Sequence, residues 1–226
     1  MSIQDGTYNT PHSKFHKMKN VDDLISDAAS LANRGMSKGE IADELNVSRE
    51  TASWLVARNK STNWDSKSVE QKKPHDIHVD WSAIGRDSTR LTNVGNAMAD
   101  IIANQHENLS LTVGIEKAGT PLATTVAQTL DTSLAAYTPR KHQWEKGNIE
   151  RHDGSFSRNF ARVSGRECCI IDDTITSGTT MYETIESIND SGGNPVAAAV
   201  LIDKQGVDSI DGVPVYSLID VLSITA

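Results

Sequence analysis

The apolar positions along the chain fall into two regimes. From Asn20 to Asn59 they recur at helical spacing, whereas from about residue 77 they gather into short continuous runs separated by amphipathic stretches. In the first regime, Val21, Leu24, Ile25, Ala28 and Leu31 form one stripe of a helix over about 20–34. Gly35 is placed to end it. Ser37 stands three residues before Glu40, the capping-box signature of a new helix. That helix carries Ile41, Ala42 and Leu45 inward and stops near Asn46, a residue type that tolerates left-handed backbone. Ala42 is small where two helices cross closely. Ser48 is placed to cap a third helix, with Ala52, Leu55 and Val56 inward. In the second regime, the apolar runs are Leu111–Ile115, Leu134–Thr138, Cys168–Asp172, Val196–Ile202 and Val213–Leu218. They alternate with helical stretches at about 89–105, 119–130 and 178–191, which predicts a mostly parallel sheet flanked by helices, an α/β fold.

The polar remainder divides the chain. Residues 1–17 show no periodicity and read as a mobile arm; Met18 opens the first patterned stretch and is an alternative start to Met1. Residues 18–60 form a small all-α unit. Residues 61–76, interrupted by Pro74, read as a linker with one short helical piece, and 77–226 form the α/β domain.

No apolar run approaches the ~20 residues of a membrane span, and the N-terminus lacks the apolar stretch of a secretory signal. The expected protein is cytoplasmic, with no membrane partner. Cys168 and Cys169 are adjacent in an apolar run, which points to buried thiols rather than a disulfide framework. The net charge of −8 counts, taken whole, against nucleic acid as a partner. Read by segment it does not. Residues 1–73 hold 11 Lys/Arg against 10 Asp/Glu, and 74–226 hold 11 against 20. Inside the acidic part, 140–166 carries seven basic residues and three acidic ones, whereas beyond it Lys204 alone faces ten acidic side chains. The basic island is either a solvated loop or the rim of an anion site.

The stretch 37–59, SKGEIADELNVSRETASWLVARN, resembles helix-turn-helix regulators of bacteria and archaea. It departs from them in having Asn46 where Gly is usual and Ala52 where a branched apolar residue is usual. The resemblance implies that the third helix enters a major groove with its start. Ser48, Arg49, Glu50, Ser53 and Trp54 would then lie near base edges, with Arg49 suited to guanine and Arg58 and Lys60 to phosphates. A three-helix unit that mediates protein contacts is the alternative.

The sharpest motif is Cys169–Thr180, CIIDDTITSGTT: a buried run, two carboxylates, a turn rich in Thr, Ser and Gly, then a helix. Gly178 allows close backbone approach. Free N–H groups at a helix start and the hydroxyls of Thr176, Ser177, Thr179 and Thr180 suit an anion. Asp172 and Asp173 would sit at the carboxyl end of a strand, where open α/β sheets bind ligands; carboxylates there suit a sugar diol, or a divalent metal carried by the ligand, and would repel a bare phosphate.

This segment resembles the phosphoribosyl pyrophosphate (PRPP) motif of type I phosphoribosyltransferases. The resemblance implies that Asp172 and Asp173 hold ribose hydroxyls and that Thr176–Thr180 bind the 5′-phosphate, with Thr174 also counted among the ligand-binding residues. Val113–Ala123, VGIEKAGTPLA, is similar to the pyrophosphate loop of orotate phosphoribosyltransferases, which assigns that loop to Glu116, Lys117, Ala118 and Gly119. TPRK at 138–141 follows a strand as that family's mobile basic loop does, so Arg140 and Lys141 match its first basic residues. The usual Lys-x-His-Gly continuation is absent, and Lys146 and His152 stand in the altered stretch. Residues 77–96 do not match the hood that orotate enzymes build over the base.

A helix-turn-helix ahead of such a domain resembles, over nearly the whole chain after Met18, the archaeal orotate phosphoribosyltransferase-like regulators of the GfcR type. The resemblance implies a DNA-binding transcriptional regulator of central sugar catabolism, a homodimer on double-stranded DNA that senses a phosphorylated sugar or PRPP. No obligatory cofactor and no directly bound metal are expected; Mg would arrive only with a PRPP-like ligand. The alternative is an active orotate- or purine-type phosphoribosyltransferase that transfers ribose 5-phosphate from PRPP to a base, with Arg140, Lys141, Asp172 and Asp173 as its catalytic candidates. A scaffold with a vestigial pocket is the third reading.

Overall fold

The computed structural model describes residues 20–59, 76–140 and 154–221. The proposed arm at 1–17 and nearly all of the linker at 61–76 lie outside them, as do Lys60, Lys141, Lys146 and His152.

Three helices open the chain: α1 (Val21–Asn33), α2 (Lys38–Glu44) and α3 (Arg49–Asn59). Each start is capped by a side chain. Asn20 and Asp23 form a capping box on α1, a pair the hydrophobic pattern alone does not flag. Ser37 and Glu40 form the predicted box on α2, with the Ser37 N–H donating to Glu40 Oε2 at 2.7 Å. Ser48 Oγ accepts from the Thr51 N–H at 3.1 Å and so caps α3. Gly35 (φ +87°) and Asn46 (φ +51°) both take the left-handed backbone that the turns require. Leu24, Ala28, Leu31, Ile41, Ala42, Leu45, Val47, Ala52 and Leu55 close one core. Two details differ from the pattern. Val21, the first residue of α1, is 41% exposed. Trp54 is only 8% exposed and belongs to this core.

The second part is a seven-stranded sheet in the order β3-β2-β1-β4-β5-β7-β6. The strands are β1 (Leu111–Ile115), β2 (Ser133–Thr138), β3 (Ser155–Phe156), β4 (Glu167–Ile175), β5 (Asn194–Asp203), β6 (Ser209–Ile210) and β7 (Val213–Asp220). β1, β2, β4, β5 and β7 pair in parallel, and the two-residue strands β3 and β6 add antiparallel edges that the sequence pattern did not predict. The helices are α4 (Ser82–Gly85), α5 (Ser88–Ala103), α6 (Gly119–Leu130) and α7 (Thr179–Asp190).

Central parallel strands are covered on both faces, so they read as unbroken apolar runs, and their alternate residues serve two cores. Val113, Ile170, Ala198 and Val200 meet Met181, Ile185 and Ile188 of α7. Cys169, Ile171, Ala197 and Ala199 meet α5 and α6 through Met98, Ala99, Leu122 and Val126. Both cysteines are buried and free, and burial pushes each thiol up to about 11. β1 leads on to β2 on one side and β4 to β5 on the other, so the chain diverges between β1 and β4. Ligands of open α/β sheets bind at such a switch point.

Residues 76–81 form a strap between the two parts. The Ser48 N–H donates to Asp76 Oδ2 at 2.6 Å, Asn46 Nδ2 donates to the Val79 carbonyl at 3.2 Å, and His78 Nδ1 donates to the Leu45 carbonyl at 2.6 Å. Lys204, directly after β5, reaches into the same place: its Nζ donates to Asp76 Oδ1 at 2.8 Å and to the Asn46 carbonyl at 2.9 Å. The two charged side chains are 5% and 9% exposed. Burial raises the Asp76 carboxyl, but Lys204 and the Ser48 amide outweigh it, and the group lies below its ordinary 3.8.

Lys204→Met is therefore expected to loosen the three-helix head by about 3–5 kcal/mol, since it leaves Asp76 buried without its cation. Amide exchange at Ser48 should accelerate; unchanged protection there would show that the pair does not hold the head. Because the Asp76 carboxyl is depressed in the fold, its contribution is complete above 3.8 and lost as pH falls through the folded value, so docking should fail in acid.

Candidate functional site

The carboxyl ends of β1 and β4 open into a cleft with about 130 Å³ of free volume. One wall is the loop after β1, Ile115–Ala118. The opposite wall is the end of β4 and the turn into α7, Asp172–Gly178 with Thr180 and Met181. Gly119 brings the two walls together: a Cβ there would stand 2.9 Å from the Asp172 Cα, so only glycine lets the start of α6 lie on β4. Gly178 (φ +72°) makes the sharp entry into α7, whose first-turn N–H groups have no carbonyl one turn back. The side chain of Glu116 accepts from Thr138 Oγ1 at 2.8 Å, which ties the β1 loop to the end of β2. The Glu116–Lys117 peptide is cis.

β4 runs on to Ile175, three residues past the run expected from the pattern, so the two carboxylates lie within the strand rather than at its last residue. Asp172 Oδ1 accepts from the Asp173 N–H at 2.9 Å. Asp173 Oδ2 accepts from Trp81 Nε1 at 2.9 Å and from Thr174 Oγ1 at 3.3 Å. Burial pushes the Asp173 carboxyl above its ordinary value despite these bonds.

Most of the predicted cradle meets here: Glu116, Lys117, Ala118, Asp172, Asp173, Thr174, Thr176, Ser177, Gly178 and Thr180 all line the cleft. Two residues do not. Gly119 packs beneath it, and Thr179 is exposed on the first turn of α7, its Oγ1 accepting from Ser177 at 3.1 Å. Arg140 is likewise not part of the lining. Its N–H donates to Glu183 Oε1 of α7 at 2.7 Å, and its guanidinium lies 4.0 Å from the same carboxylate.

The sequence pattern missed a third wall. Glu40, Asp43, Glu44 and Asn46, from α2 and the turn after it, also line the cleft. Glu40, Asp43 and Glu44 share one helix face by their i, i+3, i+4 spacing, a signal legible in the sequence but attached to nothing there. Trp81, Asp76 and Lys204 were also missed. For Lys204 there was a clue, its isolation in a strongly acidic stretch.

On α3, Arg49 and Glu50 are exposed, and half-buried Ser53 donates to the Arg49 carbonyl at 2.8 Å. Ser48 is taken up by the cap and by Asp76. Trp54 is corrected from a base-edge candidate to a core residue, because its ring fills the space between the helices. The Arg58 guanidinium lies 4.7 Å over that ring, which leaves it exposed on the outer face.

A switch-point cleft with an acidic pair and a Thr/Ser/Gly turn defines a phosphoribosyltransferase-type domain, here joined to a three-helix head. The model of the phosphoribosyl transferase domain family matches residues 80–211. Adenine phosphoribosyltransferase from Thermoanaerobacter pseudethanolicus shares the fold at TM-score 0.53 and 18% identity, over 67% of this chain and 92% of that one. Orotate phosphoribosyltransferase from Aeropyrum pernix does so at 0.53 and 18%, over 73% and 91%. Across nearly the full length, the chain is 64% identical to a protein of Haloquadratum walsbyi named transcriptional regulator GfcR, over 92% of this chain and 95% of the relative. It is 46% identical to one of the same name from Methanocella arvoryzae, over 89% and 97%. The chain belongs to the GfcR family.

Asp173→Asn preserves an oxygen acceptor for Trp81 and removes a charge that burial disfavours. The wild type should lose stability as pH rises above 3.8 and this carboxylate ionises in the fold, and the variant should not. Its melting temperature at neutral pH is expected to equal or exceed that of the wild type; a clear drop would show that the ionised form is the one the fold favours.

Proposed function

We propose that this protein is a DNA-binding transcriptional regulator whose phosphoribosyltransferase-type domain senses a phosphorylated sugar or PRPP. The observation that carries the reading is the cleft, where the cradle of the sheet and the helix-turn-helix of the head share one cavity. An enzyme with an accessory head has no need of that arrangement, and a sensor does. The name borne by relatives of almost the same length points the same way.

In this reading the exposed face of α3 reads the major groove, with Arg49 on a guanine and Arg58 with Lys60 on phosphates. Two copies space two heads about one helical turn apart on a pseudo-palindrome in the cytoplasm. The N–H groups and hydroxyls at Thr176–Thr180 take the phosphate, and Asp172 and Asp173 take the sugar hydroxyls. A divalent cation comes with a diphosphate ligand rather than from a resident site. The genes controlled are those of central sugar catabolism. Among the described residues, no helix is long and apolar enough to cross a membrane.

Gel-shift titration of the protein against promoters of sugar-catabolic genes, with and without PRPP and sugar phosphates, tests this. Specific binding that responds to one of these compounds is the expected result. Arg49→Ala should weaken operator affinity by about 10-fold or more, the loss of one base-reading pair at about 1–3 kcal/mol. Vigorous PRPP-dependent turnover of orotate or a purine base, with no sequence-specific DNA binding, would favour the transferase reading instead.

A further inference from the structure

The head supplies one wall of the cleft, and that wall has the wrong charge for the ligand. Glu40, Asp43 and Glu44 of α2 face a cavity that already holds Glu116, Asp172 and Asp173, and Lys117 is the one basic side chain in the described lining. Its 130 Å³ is below the ~300–1,000 Å³ usual for small-molecule sites. A sugar phosphate therefore meets two obstacles while the head is docked: too little room, and a concentration of carboxylates around its own negative charge.

We propose that Asp43 and Glu44 belong to the ligand site as an electrostatic gate, so that anionic ligand and docked head exclude one another and filling the cradle releases the head. The inference rests on the reading of the cradle as a phosphorylated-sugar site. A ligand shifts such an equilibrium only by its preference for one state, and the acidic wall supplies the preference. The strap carries it to the DNA-reading helix. Trp81 bonds Asp173, a residue of the cradle, and five residues earlier Asp76 bonds the Ser48 amide, which is the first residue of the α3 cap. Ligand that recruits Asp173 competes with Trp81 at one end of the strap. Loss of docking frees α3 at the other, where Lys204 and Asp76 hold the turn.

Ribose 5-phosphate serves as the probe, titrated calorimetrically into the full chain, the Asp43→Asn/Glu44→Gln double variant and Lys204→Met. Glu40 is left intact because it forms the α2 capping box. An apparent affinity is reduced by the fraction of molecules in the competent state, so removing the gate or the docking pair should tighten binding about 10-fold or more. In the wild type, which needs no substitution, saturation with ribose 5-phosphate should accelerate amide exchange at Ser48. Binding to all three chains with equal affinity and with Ser48 protection unchanged or increased overturns the gate and leaves the ligand site standing. No binding to any of the three overturns the sensing reading of the cradle, and the gate with it.

Discussion

The placement of the three-helix head on the sheet centres on one buried ion pair. Lys204 projects from the end of a central strand to the turn between α2 and α3 and finds there Asp76 and the Asn46 carbonyl. Neither charge is stable alone in so dry a place, and their attraction has to offset the desolvation of both. It does so because further bonds complete the set: the Ser48 amide on Asp76, and Asn46 and Leu45 on the strap. A buried pair of this kind adds little net stability compared with an apolar contact, but it specifies geometry. Here it specifies where α2 stands relative to the cradle.

That position changes what the cradle is. A cleft at the switch point of an open sheet, with backbone N–H groups and hydroxyls on one side and carboxylates on the other, suits a phosphorylated sugar. With α2 in place, the same cleft is small and strongly acidic. The −8 of the whole chain is thus not a diffuse surface property. Part of it is concentrated where the head and the body meet around the cleft, and α3 keeps Arg49 and Arg58 exposed.

The likeness to adenine and orotate phosphoribosyltransferases, at 18% identity, speaks to the fold alone. Three features join the head to that fold in this chain. The segment 76–81 is used as a strap, Trp81 holds a cradle carboxylate, and a helix of the head lines one side of the cleft.

Local chemistry was enough for the sequence to determine the elements and most of the cradle. Helical stripes, a capping box, unbroken apolar runs and the DDTITSGTT turn are written in neighbours, because caps, periodicity and turns act over a few residues. β1 and α6 fall on the residues the pattern assigned them. Pairings between distant residues carry no such mark. Trp54 looked like a reader of bases because its place on the helix allows it, and only the packing of three helices shows it to be core. Lys204 with Asp76, Trp81 with Asp173, and α2 beside the cleft join positions about 70–140 apart in the chain. Burial and contact across that distance exist only once the sheet has formed, which is why most of the cradle was legible in the sequence and its third wall was not.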